Sequence, residues 1–131
     1  MAGGTRRYRD GRGWEKKAGY SRAVRRGGHI YVSGTTAADP TADTYGQTLQ
    51  AIDQALAAVS ELGGAKTDVV RTRVMLTPEA DWAGAAKAHV QVLGAVAPAN
   101  TMLYVSGLIG EGYLVEVELE AEVETEVEES S

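Results

Sequence analysis

The sequence contains no cysteine, and this absence excludes disulfide bonds, thiolate nucleophiles and zinc sites built on thiolates. It also contains no signal-peptide pattern and no apolar run that approaches the roughly 18 residues of a membrane-spanning helix. A chain without cysteine suits a reducing compartment. We therefore expect a soluble cytoplasmic protein that does not bind membranes.

Positive charge and histidine are also scarce. Lys and Arg number 13 against 18 Asp and Glu, which gives a formal net charge of −5 at pH 7. This acidic balance disfavours nucleic-acid binding as the main role. His29 and His89 have no Asp or Cys at the spacing of a catalytic triad or a metal site. We therefore predict no metal site and place both histidines at the surface or at the edge of the core.

With 131 residues, 44% of them hydrophobic, the chain has the size and composition of one folded domain. We assign the domain to residues 14–124. Residues 1–13 are rich in Gly and Arg, and we interpret them as a flexible basic extension, with an RNA-binding arm as the alternative. Residues 125–131 form an acidic tail that we expect to be solvated.

The stretch from Leu114 to Val127 alternates strictly between apolar residues and glutamate. Successive side chains of a strand point to opposite faces, so this pattern predicts a long strand with one apolar and one acidic face. Like charges on one face repel and need partners. The segment Asp68 to Leu76 alternates in the same way and carries Arg71 and Arg73 on one face. We expect this strand to lie near the glutamate strand.

The remaining elements follow from periodicity and turn residues. Ser21 to Thr36 predicts a β-hairpin around Gly27-Gly28. Apolar spacings of three and four predict helices over Tyr45–Leu62 and from Pro78 to Gly94. A further strand covers Thr101–Ser106. The order ββαβαββ predicts an α+β fold, in which two helices cover one face of a single mixed sheet.

The other face of this sheet needs a partner. We expect it to carry Arg71, Arg73, Met75, Met102, Tyr104 and the glutamates, a mixture that is too apolar for water and too charged for a core. Homo-oligomerisation that packs these faces together, with small pockets where the subunits meet, would satisfy both requirements.

Five ordered blocks of the sequence resemble the RidA/YjgF family, also called the endoribonuclease L-PSP family. The blocks are Gly19-Tyr20-Ser21-Arg22-Ala23-Val24, His29 to Thr35, Asp68 to Val74, Pro98 to Met102 and Leu114 to Glu118. The resemblance implies a chorismate-mutase-like fold and a homotrimer with a central barrel and clefts between subunits. It also implies that reactive imines and enamines are hydrolysed to keto acids and ammonia without a metal or an organic cofactor.

Family members that act as deaminases hold the substrate carboxylate with the arginine of a Pro-Ala-Arg motif, where this chain has Pro98-Ala99-Asn100. Asparagine cannot form the charged bidentate clamp, and we expect its loss to cost about 2 to 4 kcal/mol of carboxylate binding. Glu116 matches the glutamate that activates or orients the attacking water, with pairing to an arginine across the barrel as the alternative. Tyr20 matches the tyrosine that closes the cleft, with interface packing as its alternative.

The resemblance also indicates the lining of the pocket. Ser33, Gly34 and Thr35 match a segment that follows the pocket wall, where glycine permits close approach. Met102 and Tyr104 replace a small residue and a glutamate, which makes the predicted pocket more apolar. Trp14 precedes the cleft tyrosine, and we place it over the pocket, with ordinary packing as the alternative.

These residues favour a diverged enzyme in which Glu116, Asn100 and Tyr20 act on a small neutral or weakly acidic imine, enamine or dehydration intermediate of specialised metabolism. A non-catalytic ligand-binding or regulatory trimer is the first alternative. An ordinary 2-iminobutanoate/2-iminopropanoate deaminase that works despite Asn100 is the second. Endoribonuclease activity fits the acidic charge poorly.

Overall fold

The computed structural model describes residues 4–124. Its strands are β1 (Thr5–Tyr8), β2 (Ala23–Arg26), β3 (His29–Thr35), β4 (Val69–Leu76), β5 (Ala99–Tyr104) and β6 (Val115–Glu122). Its helices are α1 (Trp14–Ala18), α2 (Thr44–Glu61) and α3 (Trp82–Leu93), with a short 3-10 turn at Lys66–Asp68. The strands form one sheet in the order β1-β2-β3-β6-β4-β5, antiparallel except for the parallel pair β4 and β5. The predicted α+β fold with a single mixed sheet is confirmed.

The glutamate strand β6 lies in the middle of this sheet, between β3 and β4. Its apolar residues Val115, Val117, Leu119 and Ala121 are buried beneath the helices, as the alternation predicted. The intervening glutamates face away from the helices. The predicted continuation of the strand to Val127 and the acidic tail at 125–131 lie outside the described residues.

The helices cover the apolar face of the sheet. Helix α2 begins where the Asp43 side chain accepts a hydrogen bond from the Gly46 N–H at 2.8 Å, and it ends where Gly63 adopts a φ of 86°. Helix α3 begins at Trp82, four residues later than the proline at position 78 suggested. The proline opens a turn instead, and the Asp81 side chain caps the helix by accepting from the Ala83 N–H at 3.2 Å. No helix between residues 4 and 124 is long and apolar enough to cross a membrane.

The assignment of residues 1–13 to a flexible extension is wrong for Thr5–Tyr8, which form the edge strand β1. This strand pairs antiparallel with β2, because the outer edge of the predicted hairpin offers unpaired backbone groups. Two arginines of the basic region reinforce the edge. Arg6 and Arg25 both donate to the Leu62 carbonyl at the end of α2, at 3.0 and 2.8 Å. Cationic side chains at this helix end also suit the helix dipole.

The faces of β4 and β5 differ from the prediction. A register shift between Val69 and Arg71 turns Val70 outward, and its side chain is 40% exposed. In β5, Met102 lies beside Val74 of β4 and therefore on the helix-covered side. The alternation of side chains along a strand shows which residues share a face, but it does not show which face the helices cover. The prediction that Met102 and Tyr104 share the uncovered face with the arginines is therefore wrong.

Candidate functional site

A cleft of about 280 Å³ opens where the amino-terminal segment crosses the ends of β3 and β6. We call it the Glu116 cleft, and its lining residues are Arg12, Trp14, Lys17, Ala18, Tyr20, Arg22, Gly34, Thr36, Ile109, Tyr113 and Glu116. It therefore brings together four of the residues singled out from the sequence: Trp14, Tyr20, Gly34 and Glu116.

The Glu116 carboxylate lies directly over the backbone of Gly34. A Cβ atom at position 34 would be 2.6 Å from the Glu116 Oε2 and 2.8 Å from its Cδ. Because glycine has no Cβ atom, the Glu116 carboxylate has room to lie against the backbone at position 34. The expectation that glycine permits close approach here agrees with this geometry, and the group that approaches is Glu116.

The surroundings of Glu116 favour its protonated form. The pKa of its carboxyl is raised chiefly by burial and further by the neighbouring Glu118 carboxylate, while the Arg22 guanidinium opposes the shift. A carboxyl group with a raised pKa can both accept and donate a proton closer to neutral pH than an exposed glutamate can. The cleft therefore contains a group suited to proton transfer.

Arg22 was not recognised from the sequence as a site residue, although it belongs to the block that resembles the family. Its side chain is buried, and it donates to the Gly34 carbonyl at 2.6 Å and to the Tyr20 hydroxyl at 3.3 Å. It also forms an ion pair with Asp10, with 3.2 Å between Nε and Oδ2. Arg22 thus fixes both the glycine under Glu116 and the tyrosine at the side of the cleft.

Glu15 is a second residue that sequence reasoning missed. Although it is an acidic residue on a short helix, it is only 6% exposed. Its carboxylate accepts hydrogen bonds from the N–H groups of Asp10, Gly11 and Arg22 at 3.1, 3.1 and 2.9 Å. These bonds attach α1 to the preceding loop and to the segment before β2. Glu15 therefore holds one wall of the cleft, including Trp14.

The two hydroxyl residues that flank Gly34 point elsewhere. The Ser33 hydroxyl donates to the Ser21 carbonyl at 2.7 Å, and Ser33 lines a neighbouring cavity of about 260 Å³ on the uncovered face. Thr35 is only 1% exposed, and its hydroxyl donates to the Ser33 carbonyl at 2.7 Å. Neither side chain lines the Glu116 cleft, and of the three residues only Gly34 does.

Asn100 lies on the other side of the sheet, at its β5 edge. Its amide donates to the Thr72 hydroxyl at 2.9 Å, and that hydroxyl is 2.8 Å from His89 Nε2 on α3. Since the Thr72 oxygen already accepts from Asn100, its own proton is available to a neutral His89. Burial also lowers the pKa of His89, which favours this neutral form. The structure thus does not bring Asn100 to Glu116 within one chain.

Met102 and Tyr104 belong to a separate apolar cavity of about 380 Å³ at the same edge. Leu76, Trp82 and Leu103 complete its lining. Tyr104 and Trp82 are 55% and 59% exposed, so this cavity is open to solvent in the single chain. The predicted site residues therefore divide into a Glu116 group and a β5-edge group.

The uncovered face of the sheet carries the charges that the sequence predicted to be neighbours. Arg73 is paired with Glu118 directly across the strands, and Arg71 lies opposite Glu120 in the register. His29 Nε2 contacts the Glu120 carboxylate at 3.0 Å. Among residues 4–124 no three His, Asp or Glu side chains converge as metal ligands would. On this face Arg73 and Glu118 therefore neutralise each other within one chain.

Comparisons of sequence and of structure with known proteins all lead to the same family. The profile of the family described as Endoribonuclease L-PSP matches residues 14–123. An uncharacterized protein of Streptomyces coelicolor is 38% identical over 122 residues, which cover 89% of this chain and 91% of that protein. A crystal structure of a YjgF/UK114 family member from Mycobacterium tuberculosis is 36% identical, with a TM-score of 0.86 over 92% of this chain and 100% of that one. A YjgF family structure from Neisseria meningitidis, 21% identical, shares the fold with a TM-score of 0.79 over 95% of this chain and 99% of that one.

Proposed function

Since the chain belongs to the endoribonuclease L-PSP family, also called YjgF or RidA, we propose that it is a diverged enzyme that hydrolyses small imines or enamines. Its substrate is neutral or weakly acidic and arises in specialised metabolism, as a reactive imine, enamine or dehydration intermediate. The observation that carries this proposal is the Glu116 carboxylate, which lies over Gly34 in a cleft and has a raised pKa.

The chemistry needs one proton acceptor that later becomes a donor. Water adds to the carbon of the C=N bond while Glu116 accepts one of its protons, and Glu116 passes this proton to the imine nitrogen to give a neutral carbinolamine. Glu116 then accepts the hydroxyl proton of the carbinolamine and delivers it to the nitrogen as the C–N bond breaks, so that a carbonyl compound and ammonia or an amine leave and Glu116 is a carboxylate again. In this proposal the Tyr20 hydroxyl, which accepts a hydrogen bond from Arg22 at 3.3 Å, donates a hydrogen bond to the substrate.

We further propose that the active form is a homotrimer with its sites between subunits. In one chain, Glu116 and Asn100 lie on opposite sides of the sheet, so a single chain cannot use both on one substrate. An assembly that sets the β5 edge of one subunit beside the Glu116 cleft of the next would unite them. The exposed Tyr31 and Leu103, 48% and 38% exposed, supply apolar area for such contacts. Light scattering that reports a monomer would contradict this assembly.

The absence of an arginine at position 100 argues against a substrate held mainly by a carboxylate at that position. Asn100 is also committed to Thr72, which leaves fewer of its hydrogen-bonding groups for a ligand. We therefore expect the wild-type protein to be a poor catalyst with 2-iminopropanoate and 2-iminobutanoate. An Asn100→Arg variant should gain activity on these imino acids if Glu116 and its water chemistry are intact.

The test generates imines in situ with oxidases and follows how fast each imine is lost to semicarbazide trapping. Matched substrates are 2-imino acids and imines of similar size that lack the carboxylate. Glu116→Gln should lower turnover by about 100-fold or more, the range of general acid–base catalysis. Glu122→Gln on the exposed end of the same strand is the control and should leave turnover unchanged.

Two results would replace the proposed function with one of its alternatives. Rapid hydrolysis of 2-imino acids by the wild-type protein would make it an ordinary deaminase despite Asn100. Ligand binding without turnover in the wild type, Asn100→Arg and Glu116→Gln alike would indicate a non-catalytic binding trimer.

A further inference from the structure

The amide of Asn100 is held at the β5 edge by a chain of hydrogen bonds that reaches helix α3. Asn100 lies beside Thr72 in the parallel register of β4 and β5, and its Nδ2 atom donates to the Thr72 hydroxyl at 2.9 Å. The same hydroxyl oxygen lies 2.8 Å from His89 Nε2. Side chains from two strands and one helix therefore meet at a single hydroxyl group.

This chain of hydrogen bonds has a direction, because a hydroxyl group has only one proton. Thr72 is fully buried, and a buried hydroxyl without an acceptor lowers the stability of the folded state. Since Asn100 donates to this hydroxyl, the Thr72 proton is directed to His89 Nε2. The amide would accept from Thr72 only if His89 Nε2 donated instead. Thr72 and His89 together thus determine which way round the Asn100 amide lies.

The orientation of the amide determines which hydrogen bonds it offers to a ligand. An asparagine side chain has one acceptor oxygen and two N–H donors, and Thr72 uses one of these donors. The hydrogen bonds within residues 4–124 leave the Asn100 carbonyl oxygen and its second N–H unused. A carboxamide has the complementary donor and acceptor. A carboxylate has only acceptors, so one of its oxygens would face the Asn100 oxygen without a proton between them.

We propose that Asn100 selects a substrate with a neutral carboxamide at the position where the family resemblance implies a carboxylate, and that Thr72 and His89 are positioning residues for this selection. The inference rests on the proposed function and narrows its substrate to a small 2-imino amide. Asn100 is exposed in the single chain, and the proposed assembly turns it toward the Glu116 cleft of the next subunit. The carboxamide donates to Asn100 Oδ1 and accepts from the free N–H, while the imine carbon lies toward Glu116.

The test titrates the full-length protein with three ligands of similar size and follows the signals of the Asn100 side-chain amide by NMR, so that it does not depend on turnover. Pyruvamide has both a donor and an acceptor, methyl pyruvate is neutral but has no donor, and pyruvate is an anion that has acceptors only. Pyruvamide should bind at least about fivefold more tightly than either of the other two, because they leave a polar group of the site unpaired.

Two substitutions examine the positioning residues. His89→Phe removes the acceptor of the Thr72 proton, so this proton can turn to the Asn100 oxygen and the amide then presents both N–H groups to the ligand. The preference for pyruvamide over pyruvate should fall about fivefold or more. Thr72→Val removes the link altogether and should lower the same preference. A purely structural role of either residue would weaken both ligands equally and leave their ratio unchanged.

His29→Phe is the matched control, because it makes the same substitution on the uncovered face of the sheet, where His29 contacts Glu120. It should leave the ratio of the two affinities and the Asn100 amide signals unchanged, whereas His89→Phe should change both. Asn100→Leu keeps the test decisive if a substitution in the buried chain unfolds the protein. It replaces an exposed side chain by an apolar one of similar size, and it should abolish the preference for pyruvamide.

The inference is overturned if pyruvamide does not bind at millimolar concentration, if pyruvate or methyl pyruvate binds as tightly, or if His89→Phe and His29→Phe change the ratio equally. Failure of the proposed function looks different. Glu116→Gln should lower imine turnover and retain the preference for pyruvamide. The same preference in a protein that hydrolyses no imine would leave the selection by Asn100 in place and remove the catalytic role. Hydrolysis of neutral imines without this preference would do the reverse.

Discussion

The substitution Gly34→Ala offers the sharpest examination of the Glu116 cleft. It adds one methyl group beneath the carboxylate and changes no charge. Gly34 does not need a positive φ, so its backbone accepts alanine without strain. The added Cβ would lie 2.6 Å from the Glu116 Oε2, whereas ordinary contact begins at 3.4 Å. The carboxylate must therefore move by roughly 0.8 Å.

The magnitudes of the two expected effects differ. The displaced atoms are the far end of a flexible side chain, so we expect a loss of less than about 1 kcal/mol in the free energy of unfolding. A displacement near 1 Å at a reacting group costs up to about 100-fold in rate. We therefore expect imine hydrolysis to fall about 10- to 100-fold while the fold remains intact.

The assay combines urea unfolding, imine turnover and NMR titration of the Glu116 carboxyl. The titration should change in Gly34→Ala, because the carboxylate moves relative to both Arg22 and Glu118. Gly107→Ala is the control, since a Cβ at that exposed position meets nothing within 4 Å and no positive φ is required. Unchanged titration and full turnover in Gly34→Ala would refute the placement of Glu116 over this glycine.

Three further predictions concern stability. Glu116→Gln should stabilise the protein at pH 7. The pKa of Glu116 is raised in the folded state, so its ionised carboxyl lowers the stability of the wild type at pH values above the ordinary pKa of 4.5. The difference in thermal unfolding between the two proteins should therefore vanish as the pH falls toward 4.5. An equal difference at all pH values would contradict the burial of Glu116. Glu15→Gln should lower the urea-unfolding free energy by about 1 to 3 kcal/mol, because an amide cannot accept all three backbone N–H bonds, and an unchanged midpoint would count against that network. Thr72→Val keeps the shape of a fully buried side chain but removes the hydroxyl between His89 and Asn100. The free energy of unfolding should fall by about 1 kcal/mol, and the NMR signals of the Asn100 amide should shift. Unshifted signals would exclude this contact.

Much of the fold follows from local patterns in the sequence. The alternation in β6 and the spacing of apolar residues in α2 each specify an element and the face it buries, because one period repeats over many residues. The strand β1 escaped prediction, since Thr5–Tyr8 is polar and basic and becomes a strand only because β2 presents an open edge. Pairing with a distant segment leaves no local periodicity to detect.

The site was predicted less completely than the fold. Gly34, Tyr20 and Glu116 were identified through a family resemblance, and they do lie together. Arg22 and Glu15 were missed because charged residues are normally exposed, and their burial depends on hydrogen bonds to backbone groups that only the tertiary structure assembles. The face that Met102 occupies depends on the register of β5 against β4, which alternation alone leaves open.

The bonds around Asp10 couple two parts of the molecule that are distant from each other along the chain. Asp10 follows β1, pairs with Arg22, and donates its N–H to Glu15. A protease, antibody or fused domain that peels β1 from the sheet would pull on the same residue. The disturbance would then reach Tyr20 and Gly34, to which Arg22 donates, and Gly34 is the residue beneath the Glu116 carboxylate.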